Sequence, residues 1–173
     1  MKTNPADVIE LLAQNENLIS DLYLLYAQRL QGLADFWHHL ANEEQQHASW
    51  LRNTLKAVDD KSIALADRFS PAAIATFKTY MSKEITAAKS QNLTEKQALT
   101  TALYLENSLI EKDCFTIFKS ADKEFSEMLA KQTAETQSHI GHIQQMMKEK
   151  GLKSFGLNSE TPPHPIPAAS MKV

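Results

Sequence analysis

The chain has 173 residues and a formal net charge of −3, with only four glycines and six prolines. That length allows one domain with a real core, and the abundance of Leu, Ala, Lys, Gln and Glu predicts a nearly all-helical protein. The weak charge argues against a nucleic-acid surface. The lone cysteine, Cys114, excludes a disulfide framework or Cys-x-x-Cys iron or zinc site, and no apolar run reaches the roughly 18 residues of a membrane span.

The first helix is predicted to start at Asn4 as N-cap, with Pro5 at the first helical position and Asp7 near the positive end of the dipole. No signal-peptide hydrophobic region precedes it, so a cytoplasmic protein is expected. Its apolar stripe is Val8, Leu12, Glu16, Ile19, Tyr23, Tyr26 and Leu30, with an acid at its centre. Gly32 marks a tight turn into a second helix, from about Ala34 to Val58, so the two are expected to form an antiparallel hairpin. The second stripe, Trp37, Leu40, Glu44, His47, Leu51, Leu55 and Val58, recurs at alternating intervals of three and four and carries two ionisable residues.

Between Asp59 and Asn92 no acid–histidine pair stands on a stripe. Ser70-Pro71 opens a helix through Ile74, Phe77, Tyr80, Met81 and Ile85, read as part of a long crossover that packs against one side of a bundle. A capping box, Thr94-Glu95-Lys96-Gln97, announces the third bundle helix. Its stripe is Leu99, Ala102, Glu106, Leu109 or Ile110, Asp113 and Ile117. After a link around Ser120-Ala121-Asp122, the fourth runs to about Lys150-Gly151, with the stripe Phe125, Met128, Gln132, Glu135, His139, His142 or Ile143, and Met146. Residues 1–151 thus form one helical domain. The Pro-rich remainder, 152–173, is expected to be an extended or disordered tail in which His164 is idle.

The two halves repeat. Glu16 precedes Glu44 by 28 residues, and Glu106 precedes Glu135 by 29. Each half offers one acid from its first helix and an acid with a histidine from its second, which places four carboxylates and two imidazoles at one level of a four-helix bundle. The central stripes carry no Lys or Arg to neutralise them, and four buried carboxylates repel one another strongly. Two divalent cations would supply the missing charge, and oxygen ligands with imidazole suit iron or manganese better than structural zinc.

Around these residues the chain resembles the rubrerythrin-like branch of the ferritin-like di-iron carboxylate proteins. The resemblance rests on Glu16 with Tyr23 and Ala27, on Glu44-Gln45-Gln46-His47-Ala48, on Leu103-Tyr104-Leu105-Glu106 and on Ala134-Glu135-Thr136-Gln137-Ser138-His139. It implies a bundle of two antiparallel hairpins joined by a long crossover with an extra helix, holding two iron ions (or manganese). Glu16, Glu44, His47, Glu106, Glu135 and His139 would be the ligands, with Glu44 a bridging candidate. It also implies a homodimer and an oxidoreductase acting on peroxide or oxygen. Two departures stand out: Leu109 replaces a further Glu associated with peroxidase chemistry in that family, and no rubredoxin module is encoded, so an external electron donor would be needed.

The second half fits less closely. Glu135 and His139 are four apart where the family spacing is three. Anchoring on His139 puts Thr136 in the place of the Glu; anchoring on Glu135 puts Ser138 in the place of the His. His142 is the alternative ligand. Tyr23 is read as a hydrogen-bond partner of a ligand carboxylate or as packing, and Asp113 as a contact of a ligand histidine or a partly exposed helix end. Glu43 is expected to be solvated, and His38 and His39 to lie off the site. Two other functions stay open: iron handling as in ferritins, and a single-metal or metal-free scaffold whose second site has decayed.

Overall fold

A computed structural model of the chain describes residues 4–57, 63–65, 71–89, 92–111 and 118–152. Among these, five α-helices dominate. Helix α1 (Pro5–Arg29) starts as its sequence dictates: the Asn4 side chain accepts from the Ala6 amide at 3.0 Å, satisfying an otherwise unpaired N–H. A single 3-10 turn, Gln31–Leu33, leads directly into α2 (Ala34–Ala57), and the two helices pack along each other. Helix α3 (Pro71–Ala88) lies on α1. The capping box of α4 (Glu95–Glu111) closes in both directions: the Gln97 amide donates to Thr94 Oγ1 at 3.2 Å, and the Thr94 amide to Gln97 Oε1 at 2.9 Å. Helix α5 (Lys123–Glu149) is capped by Asp122, packs along α4 and also touches α2. It stops at Gly151, whose φ of 66° favours a residue without a Cβ, and the Leu152 amide returns to the Met147 carbonyl at 2.9 Å.

The expected all-helical chain also contains a small antiparallel ribbon. Strand β1 (Ile63–Leu65) pairs with β2 (Phe118–Ser120), with Ile63 opposite Ser120 and Leu65 opposite Phe118. It ties the segment after α2 to the segment before α5. Three-residue strands are too short for a readable alternation, so their pairing was hidden in the sequence.

The hydrophobic core comes in two parts. One gathers Ile19–Ala27 of α1, Leu33–Ala41, the α3 residues Phe77, Tyr80 and Met81, Ala98–Leu105 of α4, and Ile140, Ile143 and Met147 of α5. The other gathers Val8–Ala13, Ala48, Leu51, Ile63, Phe118, Phe125 and Leu129. Along α1, α2 and α5 the stretch between them is polar: Asn15 and Glu16, then Glu44 and His47, then Gln132, Thr136 and His139, all buried. On α4, buried Glu106 follows the last apolar contact, Leu105.

The stripes of α1 and α2 are buried from Val8 to Tyr26 and from Trp37 to Leu51, with Leu30 and Leu55 half-buried at their ends and Val58 outside the described residues, but that of α5 is turned by one residue. Phe125, Leu129, Gln132, Thr136, His139, Ile140, Ile143 and Met147 face inward. Met128, Glu135 and Met146 are only half-buried, and His142 is exposed. This phase leaves the Glu135 carboxylate at the rim and buries a hydroxyl instead, the smaller desolvation cost. Helix α3 packs against the bundle as expected, and it also buries an acid, Glu84, beside Tyr80 and Tyr26. Asp113, Cys114 and the tail with His164 lie outside the described residues. No described helix is long and apolar enough to cross a membrane.

Candidate metal centre

Three of the four predicted carboxylates meet both predicted imidazoles. Glu16, Glu44 and His47 offer one ligand atom each, all within 4.8 Å of one another, and so do Glu44, Glu106 and His139. Glu44 belongs to both groups. Its two oxygens face different imidazoles: Oε2 lies 3.1 Å from His47 Nδ1, and Oε1 lies 2.9 Å from His139 Nδ1. The rings of His47 and His139 stack with centroids 5.6 Å apart. One carboxylate from the middle of α2 therefore spans the whole site.

Glu16 and Glu106 flank it, and each is half satisfied. Gln132 Nε2 donates to Glu16 Oε1 at 2.7 Å, and the Tyr23 hydroxyl donates to Glu106 Oε1 at 2.6 Å. The second oxygen of each, Oε2, is buried with no hydrogen-bond partner. Orphaned carboxylate oxygens in an interior are costly, and a cation is the partner their chemistry calls for. Tyr23, read as a hydrogen-bond partner of a site carboxylate or as packing, is both: it donates to Glu106 and lies in the apolar core.

Glu135 is not in either group. It stands at the rim, 30% exposed, where Oε2 accepts from the outer nitrogen of His47, Nε2, at 2.8 Å. Glu43, expected to be solvated, does the same for the other half: 31% exposed, it accepts from His139 Nε2 at 3.1 Å. The braces cross. An acid of α5 holds the histidine of α2, and an acid of α2 holds the histidine of α5. Each imidazole points Nδ1 inward and has its outer N–H fixed by a carboxylate, the arrangement that orients metal-ligating histidines.

This geometry resolves the irregular spacing in the second half. Set with the histidines aligned, Glu43-Glu44-Gln45-Gln46-His47 matches Glu135-Thr136-Gln137-Ser138-His139. Glu135 is the counterpart of Glu43, and the counterpart of Glu44 is Thr136. The Thr136 hydroxyl is buried and donates to the Gln132 carbonyl at 3.0 Å. The alignment on His139, one of the two readings the sequence offered, is the one that the geometry follows; Gln132, placed on the stripe without a role, and Glu43, expected to be solvated, contact the site as well. His142 is not among the grouped ligands; it is exposed, with its ring 6.4 Å from that of His39.

The crowding sets the protonation of the metal-free cluster. Burial pushes the Glu16 carboxyl well up, helped by the charge of Glu44, and burial together with Glu44 also raises Glu106. Burial opposes the Glu44 charge too, but the close contacts of its oxygens with His139 and His47 outweigh it and hold that carboxyl down at about 2. His139 loses hydration on burial and gains more from Glu106 and Glu44, which raise it to about 11; His47 is raised by Glu44 and Glu135 against the same burial penalty. Without a cation, burial and mutual repulsion favour the protonated forms of Glu16 and Glu106, while Glu44 and the two imidazoles favour each other's charged forms.

No protein-family model, curated protein or solved structure matches the chain. The chemistry of the site therefore rests on its own residues. Three carboxylates and two imidazoles, all from helices, form two groups that could hold a metal ion, with Glu44 common to both.

Proposed function

We propose that the chain is a ferritin-like, rubrerythrin-like metal protein whose dinuclear centre, iron or manganese, reacts with peroxide or dioxygen. The observation that carries this reading is the double membership of Glu44: one buried carboxylate faces both inward-pointing imidazoles, with a half-satisfied carboxylate on each side. The order in which the helices visit the two core clusters supports a bundle of two antiparallel hairpins, α1–α2 and α4–α5, joined by a crossover containing α3.

In this reading Glu16 and His47 would hold one ion and Glu106 and His139 the other, with Glu44 available to both. Bound there, reduced ions would supply electrons to an oxygen–oxygen bond. The chain's own residues do the rest. Gln132 and Tyr23 each fix one oxygen of a terminal carboxylate and leave the other for a ligand bond. Glu135 and Glu43 keep the outer ring nitrogens protonated, so the inner ones carry the lone pairs. The two apolar clusters on either side keep bulk water from the layer. A homodimer and an external reductant complete the proposal, since one cysteine cannot build a rubredoxin-type relay.

One observation favours a second reading. With Thr136 in place of a fourth carboxylate, the site offers three negative charges rather than four, which suits a single tightly held ion. Metal content per chain by plasma mass spectrometry, for the wild type and Glu44→Ala, separates the two. About two iron or manganese ions per chain, lost in the variant, match the dinuclear reading; about one selects the single-ion site. None, even after anaerobic loading with ferrous iron, would falsify the metal reading and leave a helical scaffold.

A further inference from the structure

The two apolar clusters beside the polar layer differ in the kind of ring they hold. The chain has four tyrosines and two tryptophans. Tyr23, Tyr26, Tyr80 and Trp37 are buried in the cluster that takes in α3, and Tyr104, half-buried, packs against it. The other cluster holds a phenylalanine pair instead, Phe118 and Phe125, with centroids 5.5 Å apart. Phenyl rings pack as well as phenols and bring no hydroxyl to bury, so packing does not account for this division. Phenol and indole rings, unlike phenyl rings, can give up one electron to a strong oxidant.

The oxidisable rings form a series that begins at the centre. The Tyr23 hydroxyl is 2.6 Å from Glu106, the Tyr23 and Trp37 rings are 5.4 Å apart, and those of Trp37 and Tyr26 5.0 Å. Tyr26 and Tyr80 both stand near the buried acid Glu84; burial and the charge of that acid raise both phenols. The Tyr80 ring is 6.2 Å from that of Tyr104, which reaches solvent. The remaining ring, Trp50, lies 5.5 Å from His47, but the Lys131 ammonium sits 3.9 Å from its centre. A cation over an indole opposes the loss of an electron, so this exit is closed.

We propose that the series Tyr23–Trp37–Tyr26–Tyr80–Tyr104 carries a single oxidising equivalent from the centre to the surface. The route rests on the metal reading above. It serves when peroxide meets a centre with one ferrous ion, the state favoured by Thr136 in place of a second inner carboxylate. Cleavage of peroxide to two waters takes two electrons and two protons, and one ferrous ion gives one electron as it becomes ferric. The second electron comes along the rings from Tyr104. Its phenol proton, released to solvent, and one further proton complete the two waters. Glu84 stands to take the Tyr80 proton while that ring is oxidised and to return it afterwards. The phenoxyl left at Tyr104 takes a hydrogen atom from an external thiol, which departs as a thiyl radical. Oxidation thereby ends on a surface ring that can be repaired, away from the buried ligands.

Protein loaded anaerobically with one ferrous ion per chain, then mixed with equimolar hydrogen peroxide and a nitroso spin trap, tests the route. Peptide mass spectrometry locates the adduct, and retained iron is measured on the same sample. The adduct should form on Tyr104. Trp37→Phe keeps a ring but not an oxidisable one, and should lose the adduct while holding the same iron. Tyr26→Phe, a smaller change, should lose it too and decides the matter if Trp37→Phe does not fold. Iron retained without an adduct on Tyr104, or with one that survives Tyr26→Phe, would overturn the route and leave the metal centre standing. No retained iron would overturn both.

Discussion

The two histidine-bearing helices carry the same pentad with one inner residue exchanged. On α2 the pentad supplies a rim acid (Glu43), a buried acid (Glu44) and a buried histidine (His47); on α5 it supplies a rim acid (Glu135), a buried hydroxyl (Thr136) and a buried histidine (His139). The outer braces survive in both halves and even cross between them, while the inner carboxylate exists once. The difference teaches which positions the architecture needs twice and which it can share. Each imidazole needs its own carboxylate to fix its outer nitrogen. A single Glu44, with one oxygen toward each ring, serves both inner positions.

The comparison is broken most forcefully by restoring the missing acid. Thr136→Glu should give the His139 half its own inner carboxylate and raise affinity for the second ion on the order of 100-fold, in line with the dependence of oxygen-rich sites on ligand charge. Calorimetric titration with manganese(II) checks this; an unchanged second affinity would mean that Thr136 does not face the ion. The same variant should melt earlier when metal-free, because it buries a further carboxylate without a partner.

Exchanging the rim acids sharpens the comparison. Glu135→Gln and Glu43→Gln should each weaken metal binding by about 10- to 100-fold, the usual cost of losing the carboxylate behind a ligand histidine. The losses should fall on different ions, the His47 position for Glu135 and the His139 position for Glu43. Equal weakening of both ions by either variant would contradict the crossed bracing.

The smallest effect is a pH dependence. In the metal-free protein the pKa of His139, raised from 6.5 to about 11, contributes stability that is complete below 6.5 and lost as pH rises through about 11. Glu44, lowered from 4.5 to about 2, contributes stability present above 4.5 and lost as pH falls through about 2. Glu16 and Glu106 are raised, so their contribution declines as pH climbs above 4.5. The metal-free protein should thus melt highest near pH 4.5 and lose stability as pH rises above it. Ligation needs the protons of His47, His139, Glu16 and Glu106 to leave, so the rise in Tm on adding manganese(II) should grow from pH 6 to pH 8, by roughly 3–6 °C per tenfold gain in affinity. A Tm gain that shrinks over that range would count against ligation by these groups.

Much of this was legible in the sequence, for identifiable reasons. Long helices with strong caps announced themselves: Asn4 with Pro5 and the Thr94–Gln97 box act where expected, whereas Asp122, read only as part of a link, turns out to cap α5. Acids at the centre of apolar stripes pointed to Glu16, Glu44 and Glu106. The α5 stripe misled because intervals of three and four can be counted in more than one phase from Phe125, and the count through Glu135 differs by one residue from the count through Thr136. Choosing between them takes the partner helix, since Glu135 finds its role only against His47 on α2. Glu84 was missed because its partners, Tyr26 and Tyr80, come from α1 and from one turn earlier on its own helix, and no spacing within one segment reveals them. The ribbon escaped because its strands are too short to carry a pattern.

The central claim is that Glu44 is shared between two ions. Diffraction from crystals of ferrous-loaded protein, recorded on both sides of the iron absorption edge, addresses it most directly. The account predicts two anomalous peaks, one between Glu16, Glu44 and His47 and one between Glu44, Glu106 and His139, each bonded to a different oxygen of Glu44. A single peak would reduce the centre to one ion, and iron bound only away from Glu44 would contradict the account.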